Sequence, residues 1–164
     1  MFSVRNLFFA CAAFCLAAIV AALVMQYHFG LKPCPLCITQ RILIIAVGIV
    51  TLIGALVSRW PLMRRIFAAL GVIVALGGAS VSARHVWIQH LPPDQVPSCG
   101  PSLDYMFANR PLGDALSLLL KGDGQCSEIV GVFLGITLPG WTLLCFLALA
   151  LTCASIIYGA RKWP

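Results

Sequence analysis

Four cysteines carry the chemistry open to this chain. Cys34 and Cys37 stand two residues apart in Lys-Pro-Cys-Pro-Leu-Cys, while Cys99 and Cys126 lie in the one long polar stretch. Two thiols at Cys-x-x-Cys spacing at a helix start close a strained, readily reduced disulfide. The positive end of the helix favours the thiolate on the inner cysteine, Cys37. Arg41 follows four residues later, one turn along the same face. A guanidinium there favours that thiolate further and can hold an anionic or carbonyl oxygen. The competing reading is a side chain that snorkels to the head groups, since helical rise puts it only about 6 Å inside the span.

The second cysteine pair admits two readings. As a staple, a Cys99–Cys126 bond closes a loop of roughly 28 residues and contributes about 3.5 kcal/mol in the chain-entropy model. As a redox pair it needs exposure, which Pro97, Ser98, Gly100 and Pro101 around Cys99 permit. Alone it reads as structural; beside a Cys-x-x-Cys on the same side, exchange between the pairs is the better reading. Four cysteines still allow three connectivities. Zinc held by all four thiolates would normally show two Cys-x₂₋₄-Cys knuckles, and only one is present, so no metal site is expected.

These residues must be positioned by membrane-spanning elements. Of 164 residues, 61% are hydrophobic and 10% charged, too little polar surface for a soluble domain of this length. Four stretches reach the roughly 20 apolar residues that a span requires: 7–26, 38–57, 66–86 and 138–157. The expected fold is an all-α integral membrane bundle of four helices, one domain over 1–164, with a short outer loop (27–37) and a long one (87–137). The first apolar run exceeds the 7 to 15 residues of a signal-peptide core and no small-x-small site closes it, so it reads as a retained helix.

Charge sets the orientation. The formal net charge is +6, but Arg5, then Arg59, Arg64 and Arg65, then Arg161 and Lys162 fall on one side of a four-span chain. By the positive-inside rule that side is cytoplasmic. Asp94, Asp104, Asp114, Asp123 and Glu128 all fall in the long loop on the other side. The basic balance therefore encodes topology, and without a basic stripe or aromatic platform nucleic acid is not an expected partner. All four loop cysteines lie on the outer side, where disulfides persist. Cys11, Cys15, Cys145 and Cys153 fall within spans and read as small packing residues.

The long loop is not uniformly polar. Leu112, Ala115, Leu116, Leu118, Leu119 and Leu120, after Pro111 and before Lys121-Gly122, predict a short helix on the membrane surface. Asp123-Gly124 predicts a turn just before Cys126. Pro33 and Pro35 predict an extended first loop. Gly71, Gly77, Gly78, Ala79 and Ser80 predict close helix packing. Arg84 or His85, at the outer end of the third span, could line a cavity there.

Lys-Pro-Cys-Pro-Leu-Cys-Ile-Thr-Gln-Arg (32–41), Gly-Gln-Cys-Ser-Glu (124–128), Phe-Leu-Gly (133–135) and Pro-Gly-Trp (139–141) together resemble the DsbB family of bacterial inner-membrane disulfide-generating oxidoreductases. Vitamin K epoxide reductase-like proteins share the four-helix redox logic but match this order of cysteines less well. The resemblance implies a multi-pass inner-membrane protein with both termini cytoplasmic and its redox cysteines periplasmic. It implies a membrane thiol oxidase that reoxidises a periplasmic DsbA-like thioredoxin-fold partner. The partner's thiolate attacks Cys99, Cys126 passes electrons to Cys34 through an interloop disulfide, and Cys37 faces a quinone held near Arg41, with His85 as a further quinone-binding candidate. Ubiquinone is favoured over menaquinone. Gln40 stands where the best-known member carries an acid, making the surroundings of Cys37 more positive. The competing functions are a paralogous redox enzyme with a dedicated partner and a non-enzymatic membrane module stapled by disulfides or zinc.

Overall fold

Apolar side chains dominate every long helix of this chain because hydrocarbon leaves the backbone no alternative to internal hydrogen bonds. The computed structural model describes residues 3–31, 33–92, 94–95, 124–129 and 131–159. Within them run four helices long and apolar enough to cross a membrane: α1 (Val4–Tyr27), α2 (Pro35–Leu56), α3 (Pro61–Gln89) and α4 (Leu138–Gly159). α1 packs on α2, α2 on α3 and α3 on α4, and α1 meets α4 to close the bundle. Outward-facing Leu16, Ile73 and Leu151 are 66 to 71% exposed. Such a surface would aggregate in water and suits lipid. The chain is thus a four-helix all-α membrane bundle.

The helices overrun the apolar stretches at most of their ends, since a helix continues past the hydrocarbon wherever its caps allow. Pro35 and Pro61 occupy first-turn positions of α2 and α3, where a missing N–H costs nothing. Pro35 therefore starts the helix rather than extending the loop before it, and Cys37 lies inside the first turn of α2. Gly30, at φ +65°, turns the chain between α1 and α2 in a conformation that a Cβ would disfavour.

Before α4 the chain makes a small hairpin, β1 (Val132–Phe133) and β2 (Ile136–Thr137), paired Val132 with Thr137 and Phe133 with Ile136. Leu134 and Gly135 at its tip both have positive φ, the two-residue turn that matches strand twist. The indole N–H of Trp141 donates to the Phe133 carbonyl at 3.0 Å and fastens the hairpin to α4. Phe-Leu-Gly and Pro-Gly-Trp are thus the hairpin and its latch. The expected turn before Cys126 is a single 3-10 turn, Gly124–Ser127, packed on α3. The expected surface helix over 112–120, Cys99 and the carboxyl-terminal basic residues lie outside the described residues.

Of the small residues expected to allow close packing, Gly71, Gly78 and Ala79 face the interior, whereas Gly77 and Ser80 face outward. A Cβ at Gly78 would stand 2.2 Å from the Phe146 ring, and one at Gly71 would stand 2.9 Å from Cys153 Sγ. Gly77, the residue before Gly78, faces open space. Cys11, Cys15 and Cys153 are buried in the bundle. Gly78→Ala should destabilise the bundle by about 1 to 3 kcal/mol through overpacking. Gly77→Ala should be neutral or slightly stabilising, by up to about 1 kcal/mol of helix propensity. Thermal unfolding of both variants in detergent checks the contrast.

Candidate functional site

Cys34 is the N-cap of α2, and its sulfur accepts the backbone N–H of Cys37 at 3.4 Å. This contact folds the Cys-x-x-Cys back on itself, leaving Cys34 Sγ donating to Cys37 Sγ at 3.2 Å. A disulfide needs about 2.05 Å, so the two sulfurs stand a short movement from bonding. Cys126, fully buried on its 3-10 turn, packs against Cys34 together with Leu36 and Ile88. Cys34 is therefore flanked by two other sulfurs, one from its own helix turn and one from the long loop. Its hydrogen bond to Cys126, that to Cys37, and burial together push the Cys34 thiol far above the ordinary range. The fourth cysteine, Cys99, lies outside the described residues.

α3 delivers His85 to the same place. His85 is 2% exposed, with Nε2 3.7 Å from Cys34 Sγ and Nδ1 3.2 Å from the side-chain nitrogen of Gln40. Gln40 Oε1 accepts from the Thr142 hydroxyl of α4 at 3.1 Å, and Thr142 also reaches Ser82 of α3 at 3.4 Å. Three helices thus contribute to one buried polar chain ending on a cysteine sulfur. Arg84, weighed beside His85 as a cavity residue, is exposed and does not line the cavity.

Arg41 turns towards α1, where Nη1 donates to Gln26 Oε1 and Nη2 to the Ala22 carbonyl at 3.2 Å. It remains on the wall of a cavity of about 420 Å³ that Cys34, Cys37, His85 and Gln89 also line. Most of that wall is apolar, including Ala18, Ile19, Ile44 and Leu138, as in sites that bury a small organic ligand. Gln89 Oε1 is buried without a hydrogen-bond partner among the described residues. A planar, largely apolar carbonyl compound fits this lining. The charged Arg41 and the unpartnered Gln89 Oε1 are the two polar groups that could fix the orientation of such a molecule.

Gln26, Ser82 and Thr142 escaped the sequence reading, and Gln40 entered it only as a change of charge. Their common signal is a polar side chain inside or at the edge of an apolar run, where an unpaired polar group is expensive. Cys145, a packing residue by its place within a span, also reaches the cavity wall.

Comparison with known proteins agrees with this architecture. The family model described as Disulfide bond formation protein DsbB matches residues 4–156. A protein named Disulfide bond formation protein B from Methylococcus capsulatus is 52% identical over 147 residues, 90% of each chain. A protein of the same name from Saccharophagus degradans is 52% identical over 148 residues, covering 90% of this chain and 88% of the relative. One from an Azoarcus species is 40% identical over 157 residues, 96% of this chain and 94% of its own. A match over nearly the whole length, on a four-helix bundle that sets Cys34 and Cys37 on one cavity wall with Cys126 packed behind Cys34, places the chain in the DsbB family.

Proposed function

We propose that this protein is a membrane thiol oxidase. It reoxidises a reduced DsbA-like thioredoxin-fold protein and delivers the electrons to a membrane quinone, ubiquinone ahead of menaquinone. The observation that carries the reading is the position of the Cys34 sulfur, 3.2 Å from Cys37 and packed against Cys126. The names of the relatives, all disulfide bond formation proteins, point the same way. The clustered basic residues support a bacterial inner-membrane location with cytoplasmic termini and periplasmic cysteines.

The steps balance as thiol–disulfide exchange. A partner thiolate attacks Cys99 of a Cys99–Cys126 disulfide, forming a mixed disulfide and releasing Cys126 as a thiolate. The partner's second thiol resolves that bond and leaves as a disulfide, so two electrons stay on Cys99 and Cys126. Cys126 then attacks Cys34 of an oxidised Cys34–Cys37 pair, forming the Cys34–Cys126 bond and expelling Cys37. Cys99 restores the loop disulfide and leaves Cys34 and Cys37 reduced. Which sulfur is expelled follows from the site, because the better leaving group is the one that holds a negative charge more easily. Cys34, hydrogen-bonded to two sulfurs and buried, keeps its proton and is the poorer leaving group.

A bound quinone supplies an acceptor for two electrons and two protons. Around it Arg41 would donate to a carbonyl oxygen, the apolar wall would exclude water, and His85 would hold the Cys34 sulfur through Nε2.

With purified protein, quinone and a reduced thioredoxin-fold partner, Cys37→Ser should reduce quinone turnover to background while still trapping the partner in a mixed disulfide. Turnover that survives in this variant would remove Cys37 from the path. Arg41→Leu should raise the KM for quinone roughly 10- to 150-fold, the worth of one charge-assisted hydrogen bond, and leave mixed-disulfide formation intact. Alkylation of Cys34 in the reduced protein should begin only at strongly alkaline pH. Cys126→Ala removes the largest cause of the raised value and should move that profile towards lower pH, as followed by mass spectrometry.

A further inference from the structure

The same residues form a constellation that electron transfer alone does not require. Cys34 Sγ, Cys37 Sγ and a ring nitrogen of His85 all lie within 4.8 Å of one another. Cys126 packs against Cys34 in the same buried cluster, and its sulfur must swing inward to join the other three ligand atoms. Three sulfurs and one imidazole are the donor set of a Cys₃His zinc site. Ligands about 2.3 Å (sulfur) and about 2.0 Å (nitrogen) from a tetrahedral metal stand roughly 3.5 to 3.8 Å from each other. The Cys34–His85 separation is 3.7 Å, already in that range, and the Cys34–Cys37 separation of 3.2 Å needs to open only slightly.

We infer that the fully reduced protein binds one soft divalent cation of the zinc type between Cys34, Cys37, Cys126 and His85, and that this holds it in the reduced state. The inference goes beyond the electron route and does not rest on it, since it requires only these four side chains. Binding is not a redox step: the cation displaces the three thiol protons into solvent, and metal–ligand bonds replace the S–H bonds. A Cys34–Cys37 disulfide provides no thiolate there, so oxidation erases the site and metal protects against oxidation. Zinc itself would neither give nor take an electron.

The support behind His85 suits this role. A metal-bound histidine uses one ring nitrogen and donates the other N–H to an acceptor that fixes the ring. With Nε2 on the metal, Nδ1–H needs an acceptor, and Gln40 lies 3.2 Å away. Turning the Gln40 amide over presents Oε1 to His85 and its NH₂ to Thr142 Oγ1. The Thr142 hydroxyl already has the Pro139 carbonyl as acceptor at 2.9 Å. In the metal-free direction Thr142 donates to Gln40, Gln40 donates to His85 Nδ1, and the other ring N–H of His85 faces both Cys34 Sγ and the Cys126 carbonyl. The chain of hydrogen bonds is therefore complete in both directions, and a carboxylate in place of Gln40 could not donate in the second.

The test uses full-length protein in detergent, reduced with a phosphine, with Cd²⁺ as probe and the ultraviolet thiolate-to-cadmium band as readout. One Cd²⁺ per chain is expected, displaced by Zn²⁺ and absent from protein oxidised beforehand. His85→Ala should weaken binding at least about tenfold, and Gln40→Leu, which leaves all four ligands, by roughly 10- to 100-fold. Cys11→Ala/Cys153→Ala should bind normally. In the unmutated protein, stoichiometric Zn²⁺ should shield Cys37 from alkylation, a measurement free of any folding defect in the variants. Binding that persists in Cys34→Ser/Cys37→Ser, affinity indifferent to both His85→Ala and Gln40→Leu, or no shielding by Zn²⁺ would overturn the inference. None of these readouts uses a quinone or a partner protein, so failure here and failure of the oxidase reading are separable.

Discussion

A polar group inside a membrane bundle has no water to turn to, and the arrangement of this protein follows from that constraint. Gln40, Ser82, Thr142 and His85 sit among apolar helices, so each must find a partner on another helix or on its own backbone. They find one another, and in doing so they fix the rotation of α2, α3 and α4 about their axes near one end of the bundle. A lone hydroxyl such as Thr51 has the simpler solution of bonding the Val47 carbonyl one turn back. The inter-helix network is the costlier device, and it occurs beside the cysteines. It orients His85 on Cys34 with a precision that packing of small residues alone would not provide.

The cysteines are held by a different logic. Cys34 and Cys37 are fixed by the start of a helix, Cys126 by a 3-10 turn pressed against α3. The hairpin and Trp141 anchor the chain after that turn to the beginning of α4. The loop cysteine therefore approaches from a segment clamped on its carboxyl-terminal side. The proposed exchange of bonds among the three sulfurs would take place between these two supports.

Much of this was legible in the sequence. Hydropathy predicts the four helices, whereas the helix-starting role of Pro35 and Pro61 emerges only in the fold, since either proline equally suits an extended loop or a turn. Cys-x-x-Cys with Arg41 one turn on pointed to the site, because those relations lie within one helix and depend only on its pitch. What stayed hidden were relations between helices. No local spacing says that Gln40 meets His85, that Thr142 meets both Gln40 and Ser82, or that Arg41 leans on Gln26. Bundle rotation is set by the sum of many small contacts, such as Phe146 against Gly78, and a single sequence does not display that sum. His85 could be nominated from its depth, yet its closeness to Cys34 rather than to Arg41 needed the fold.

The cap at the start of α2 has one more implication. Most helix caps are oxygens with no part in the chemistry, and a reacting group that doubles as a cap would ordinarily fray its helix whenever it reacted. Sulfur avoids this. A thiol, a thiolate and a disulfide sulfur all keep lone pairs, so Cys34 can go on accepting the Cys37 N–H through every change of bonding partner. The scaffold then has no reason to rearrange as electrons come and go, and the energy of turnover is confined to the sulfurs themselves.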